Sequence, residues 1–136
     1  MKPTTLADMI EGMRVHKVAP QETVRDACIK MSSANVGALP VVNDQGALVG
    51  MLSERDVVQR SVIVYRPSET TRVDRVMTPN PKWLPPEAKP EEAHRTMLKG
   101  RFRHLPVCAE GQVVGIVSLR DFDLRSKSIL AQLRGG

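Results

Sequence analysis

The chain has 136 residues, with 20 lysines and arginines against 15 acids and a formal charge of +5. That length allows one domain and hides enough surface to fold without disulfides or a metal. With 41% hydrophobic and 26% charged residues and only 3% aromatics, the composition excludes general disorder, a platform of rings stacking on bases, and any membrane-length apolar run, so the expected location is the cytoplasm.

In chain order, residues 15–19 read as a short extended stretch. Thr23 follows as a helix N-cap with Asp26 three positions on. Val24, Ala27, Cys28 and Met31 then mark one apolar helix face at i, i+3, i+4, i+7. A strand over 38–42, a turn at 43–46 and a strand over 47–52 make a hairpin, and Ser53-x-x-Asp56 opens another helix. A link carrying Arg60, Arg66 and Arg72 follows, predicted to be a basic surface loop. The pattern then returns: extended 82–84, a helix with Pro90 in its first turn and Ala93, His94 and Met97 inside, strands 105–108 and 112–117 around a turn at 109–111, and a last helix over 119–133 with Phe122, Ile129, Leu130 and Leu133 inward.

The return is a repeat. At an offset of 66, Ala27 meets Ala93, Met31 meets Met97, Leu39-Pro40-Val41 meets Leu105-Pro106-Val107, and upstream Asp8 meets Asp74. One residue drops out in the turn; at 65, Gly46 meets Gly111, Val49-Gly50 meets Val114-Gly115, and Ser53-x-Arg55-Asp56 meets Ser118-x-Arg120-Asp121. The expected fold is therefore α/β (α+β): two pseudo-symmetric β-α-β-β-α units packed as one module. They span 7–62 and 73–124, with a link at 63–72 and a basic tail at 125–136.

The sharpest duplicated feature is G-h-h-S-x-R-D, where h is apolar, at 50–56 and 115–121. Ser-x-x-Asp before a helix is a capping box and needs no function to explain it. Yet a helix N-terminus also suits phosphate. Arg55 and Arg120 place a cation where the helix dipole disfavours one, which asks for a compensating anion. The Asp can accept two hydrogen bonds from a ribose diol. Capping and nucleotide binding both fit, and can hold together.

These residues resemble the CBS domain, the module first noted in cystathionine β-synthase, which occurs in tandem pairs called Bateman modules. The similarity runs from about 7 to 122 and is carried by L-P-V-V, G-x-x-V-G-x-x-S-x-R-D, the V-x-x-V-M-T-P-N-P run at 73–81, and R-H-L-P-V at 103–107. The resemblance implies a non-catalytic regulatory sensor that binds an adenosyl ligand, such as AMP, ADP, ATP, NAD or S-adenosylmethionine, between the copies. It also implies a homodimer acting on a regulated protein that the sequence does not name. Carried over, the first site would join Ser118, Arg120 and Asp121 to Val18, Ala19, Val36, Gly37 and Ala38, with His16 and Lys17 at its mouth. The second would join Ser53, Arg55 and Asp56 to Thr78, Leu84, Phe102, Arg103 and His104. The apolar Val36-Gly37-Ala38 pocket leaves room for a purine. Phe102-Arg103-His104 would fill its counterpart or hold extra phosphates, so the first site is preferred.

Other readings carry less. There is no P-loop motif, and His94, His104 and Cys108 lack zinc-ligand spacing. Cys28 and Cys108 read as reduced core thiols, and the methionines as core filling. The rivals are a nucleic-acid-binding protein driven by the arginine surplus, against which the scatter of basic residues counts, and a ligand-free dimerisation scaffold.

Overall fold

The computed structural model describes residues 3–122. The expected helix over 119–133 begins at 119, and its continuation from 123 lies outside the described residues, as does the tail at 125–136. The elements are α1 (Leu6–Ile10), α2 (Val24–Ala34), β1 (Ala38–Val42), β2 (Leu48–Ser53), α3 (Glu54–Val57), β3 (Thr78–Pro79), α4 (Pro90–Gly100), β4 (His104–Ala109) and β5 (Gln112–Ser118). A π-helical turn over Val58–Val62 extends α3, and a 3-10 turn over Val73–Arg75 precedes β3.

The duplication is visible bond by bond. Thr23 caps α2 by accepting from the Asp26 amide at 3.1 Å, while Pro90 occupies the first turn of α4. Both helices end in left-handed residues, Asn35 at φ 55° and Arg101 at φ 59°. Both hairpins are antiparallel with an irregularity at the same place, Val41/Val42 and Val107/Cys108. The single-residue slip falls in the hairpin loops. Glu110 and Gly111 (φ 53° and 76°) make a two-residue turn of the mirror-image kind that suits strand twist. The first loop is one residue longer and is built on Asn43 Oδ1, which accepts from the amides of Gln45 and Ala47 at 3.0 and 2.9 Å.

Three features depart from the expected order. The stretches 15–19 and 82–84 are not strands. Each contributes one parallel bridge, Val18 to Val41 and Leu84 to Val107, because only one residue in each stretch spans both ladder bonds. A short strand, β3, pairs antiparallel with β2, Gly50 opposite Pro79 and Met51 opposite Thr78. The match of Asp8 with Asp74 is not structural. Leu6 and Ala7 amides donate to Ala88 and Pro86 carbonyls, as Val73 and Asp74 amides do to Glu22 and Pro20, so Leu6 corresponds to Val73. The true offset there is one residue greater.

These bonds reveal an exchange. The first core holds Val18, Val24, Ala27, Met31, Leu39, Val41 and Leu52 together with Val73 and Val76 from the start of the second unit. The second core holds Ala93, Met97, Leu105, Val107 and Val117 together with Leu6 and Ile10 from the start of the first. The repeated glycine of G-h-h-S-x-R-D makes room for the visitor. A Cβ at Gly115 would overlap Ile10, and one at Gly50 would overlap Met77. His94 is half-buried on α4 and stacks on Phe122, ring centroids 4.7 Å apart.

Candidate functional site

The Ser53/Asp56 capping box forms in full as its spacing requires, whereas among the described residues the Ser118/Asp121 pair makes only the bond to the carboxylate. Ser53 accepts the Asp56 amide at 3.2 Å, and its own amide donates to Asp56 Oδ2 at 3.0 Å. Thr78, brought alongside by β3, donates its hydroxyl to Asp56 Oδ1 at 3.2 Å. Both carboxylate oxygens are engaged and Asp56 is buried. In the other unit the Ser118 amide donates to Asp121 Oδ2 at 2.8 Å. Asp121 Oδ1 and the Ser118 hydroxyl have no hydrogen-bond partner among the described residues.

Ser118 and Asp121 line a cleft of about 1170 Å³ between the units. Of the residues assigned to the first site, His16, Val36, Gly37, Ala38, Ser118, Arg120 and Asp121 line it together. Lys17, Val18 and Ala19 are not among the lining residues, and their main chain bonds elsewhere. The Lys17 carbonyl accepts from Lys30 Nζ at 2.6 Å, Val18 is sealed against β1, and the Ala19 amide donates to Glu22 Oε2 at 2.7 Å.

Of the residues assigned to the second site, Ser53, Asp56 and Thr78 come together, with Arg55 exposed beside them. Leu84 and Phe102 pack on the second core. Arg103 and His104 instead line the first cleft, with His104 across from Gly37. The first site thus gains the side chains expected in the second.

Sequence reasoning missed Arg14, Cys28, Glu54 and the α2 stripe Met31, Ser32 and Asn35, all of which line the cleft. The stripe continues the helical spacing already read at Cys28. Met31, on the apolar face, is buried in the first core and also borders the cleft, whereas Ser32 and the C-cap Asn35 are polar positions that the apolar spacing does not mark. Glu54 is held over the cleft floor by its amide, which donates to the Gly37 carbonyl at 3.0 Å, as Leu119 does to Arg103 at 2.8 Å. A Cβ at Gly37 would sit 3.3 Å from Glu54 Oε1 and 3.6 Å from His104 Nε2, so glycine leaves the narrowest point open.

The wall carries three arginines, Arg14, Arg103 and Arg120, against two carboxylates, Glu54 and Asp121. Burial holds the His104 imidazole below its ordinary range, opposed by Glu54 and Asp121 and aided by Arg103. Burial, reinforced by Glu54, pushes the Cys28 thiol up; burial alone does so for Cys108. Both thiols are free; Cys108 is buried, whereas Cys28 is half-buried on the cleft wall. Among the described residues no His, Cys, Asp and Glu group is placed to hold a metal ion, and no helix is long and apolar enough to cross a membrane.

The fold and paired caps define a two-unit module with a ligand-sized cleft between repeats. The CBS-domain family model matches residues 6–63 and 73–124, and the chain belongs to that family as a CBS pair, a regulatory type of module. It is similar to CBS domain-containing protein YhcV of Bacillus subtilis, 36% identical over 115 residues that cover 85% of this chain and 81% of that one. Against CBS domain-containing protein CBSCBSPB1 of Arabidopsis thaliana, 35% identical over 113 residues, the chain spans 21% of the relative's length. The crystal structure of the CBS domain NE2398 superposes with a TM-score of 0.83 at 31% identity, covering 90% of this chain and 96% of that one. CBSX2, solved in complex with AMP, superposes at 0.74 and 28% identity, covering 93% and 98%.

Proposed function

We propose that the chain is a non-catalytic sensor that takes an adenosyl ligand, an adenine nucleotide (AMP, ADP or ATP) in first place, in the cleft between its units. The observation that carries this is the inequality of the two caps. Asp121 Oδ1 and the Ser118 hydroxyl have no hydrogen-bond partner among the described residues, and both residues line the cleft, whereas the matching groups around Asp56 are satisfied internally. In this reading Asp121 accepts from the ribose diol, and Ser118 and Arg120 meet the first phosphate. Val36, Gly37 and Ala38 flank the base, and His16 and Arg103 receive further phosphates. The AMP complex of the structural relative CBSX2 supports the ligand class. The pocket of Ser53, Arg55, Asp56 and Thr78 is the lesser site.

A ligand touching both units biases their relative orientation and so the surface presented to a regulated partner. The partner surface of first choice is a second copy of the chain. The helix that begins at Glu54 exposes Val58, Val62 and Ile63, with Tyr65 93% exposed, and a two-fold interface needs only one such self-matching face.

The test is thermal unfolding with AMP, ADP, ATP, NAD and S-adenosylmethionine, on the wild type, Asp121→Asn and Asp56→Asn. A ligand at a hundredfold excess over its Kd adds about 2.7 kcal/mol, several degrees for a domain of this size. The expected result is a shift with an adenine nucleotide that is lost in Asp121→Asn and kept in Asp56→Asn. No shift with any of the five ligands overturns the reading.

A further inference from the structure

The link between the units carries a second basin, and none of its lining residues is shared with the cleft. Arg66, Thr70, Thr71, Arg72, Asp74 and Arg75 surround about 770 Å³ of open space. The backbone beneath them is fixed. The Arg66 amide donates to the Ser61 carbonyl at 2.9 Å, Thr71 to Pro67 at 3.0 Å and Val73 to Glu22 at 2.8 Å. The buried Ser61 hydroxyl donates to the Arg66 carbonyl at 2.9 Å. The side chains therefore project from an ordered frame and not from a loose loop.

Their hydrogen-bonding capacity is one-sided. Arg72 grips Asp74 through Nη2 at 2.8 Å and Nε at 3.3 Å, which occupies the basin's one carboxylate. Arg66 Nη1 donates to the Arg75 carbonyl at 3.1 Å, which fixes the fork, while Nε and Nη2 have no hydrogen-bond partner among the described residues. The Arg75 guanidinium and the hydroxyls of Thr70 and Thr71 have no hydrogen-bond partner among the described residues. Three cations around one engaged acid repel one another, and solvent and salt screen that repulsion only in part. Guanidinium forks beside neutral hydroxyl donors match the several acceptor oxygens of a phosphoryl group.

We propose that this basin binds a small phosphate-bearing anion, a di- or triphosphate group, through Arg66, Arg75, Thr70 and Thr71, with the Arg72–Asp74 pair as its wall. The site does not depend on what occupies the cleft. It does lie on the segment that leads, three residues beyond Arg75, to Thr78 and its bond with Asp56.

The experiment is an amide-resolved NMR titration of the full chain with tripolyphosphate at fixed ionic strength. It uses the wild type, Asp121→Asn, Arg75→Gln and the double variant Arg66→Gln/Arg75→Gln. Arg75→Gln removes a side chain with no hydrogen bond or ion pair among the described residues, and unchanged amide shifts outside the basin check that the fold is kept. Saturable shifts at Thr70, Thr71 and Arg72 are expected in the wild type and in Asp121→Asn. Binding should be weaker in Arg75→Gln and roughly tenfold or more weaker in the double variant. Shifts that never saturate, or an affinity unchanged in the double variant, overturn the proposal. So does a DNA oligonucleotide that saturates these amides where tripolyphosphate does not, which would mark a nucleic-acid surface.

Discussion

Thr78 donates its hydroxyl to Asp56 at 3.2 Å, a bond with no counterpart at Asp121 among the described residues. One of the differences between the two caps thus lies at Oδ1 of the carboxylate. Replacing Thr78 by valine keeps the shape and removes the donor. The variant should lose about 1 kcal/mol, read as a lower urea midpoint at unchanged slope. An unchanged midpoint would mean that solvent replaces the hydroxyl without cost.

The glycines of the duplicated motif set the approach of the exchanged segments. An alanine at 115 would meet the branched Ile10 side chain at 2.6 Å, with Ile10 Cβ at 2.7 Å. At 50 it would meet the flexible end of Met77, which can swing aside, and the Thr78 carbonyl at 3.1 Å. Both substitutions overpack, at about 1–3 kcal/mol, and Gly115→Ala should be the costlier. Equal denaturation midpoints for the two variants would contradict the difference in what each methyl meets.

Leu6 is fully buried, but in the core of the second unit. Leu6→Ala should cost about 2–5 kcal/mol. Hydrogen exchange should quicken first in β4 and β5, far away in sequence, and not in β1 and β2. Loss of protection confined to the first hairpin would disprove the exchange of segments.

His104 gives stability a pH dependence of predictable sign. Burial lowers its folded pKa below the unfolded value of about 6.5, despite Glu54 and Asp121, with Arg103 adding to the fall. Between those two values the unfolded chain holds the extra proton, so stability rises with pH across the window and is lost on acidification. His104→Gln should flatten that part of the profile. A steeper loss in the variant would reverse the assignment.

Cys28 offers a reporter on the cleft. Burial and the Glu54 carboxylate both suppress its thiolate. Glu54→Gln removes the second cause, so a thiolate-seeking reagent at neutral pH should modify Cys28 faster than in the wild type. Cys108, buried away from Glu54, should remain slow in both. An adenosyl ligand in the cleft should protect Cys28 alone.

What could be read from the residues was local or duplicated. Thr23 with Asp26, and Ser53 with Asp56, are three apart, so the helix geometry follows from spacing alone. The hairpin slip was legible because two copies could be laid side by side. The unread parts depend on distant pairing. Nothing in Thr78-Pro79 announces a strand, since its partner Gly50-Met51 is reached only after the chain turns back. The register of Asp8 with Asp74 misled because an identity of letters outweighed a difference in backbone contacts. The turning of Arg103 and His104 into the first cleft requires both units to be in place, so no pattern within either unit could show it.

The exchange of opening segments has a consequence for the order of synthesis. Leu6 leaves the ribosome early, yet its neighbours include Val117, near the end of the described chain. The first helix must wait, exposed, until β5 has been made. Val73 and Val76, by contrast, reach a first unit that is already complete up to Leu52. Closure of the second core therefore brings α1 together with β5, a contact of long sequence separation of the kind that slows folding. A nascent chain stopped before β5 holds one finished core and one helix with nowhere to dock.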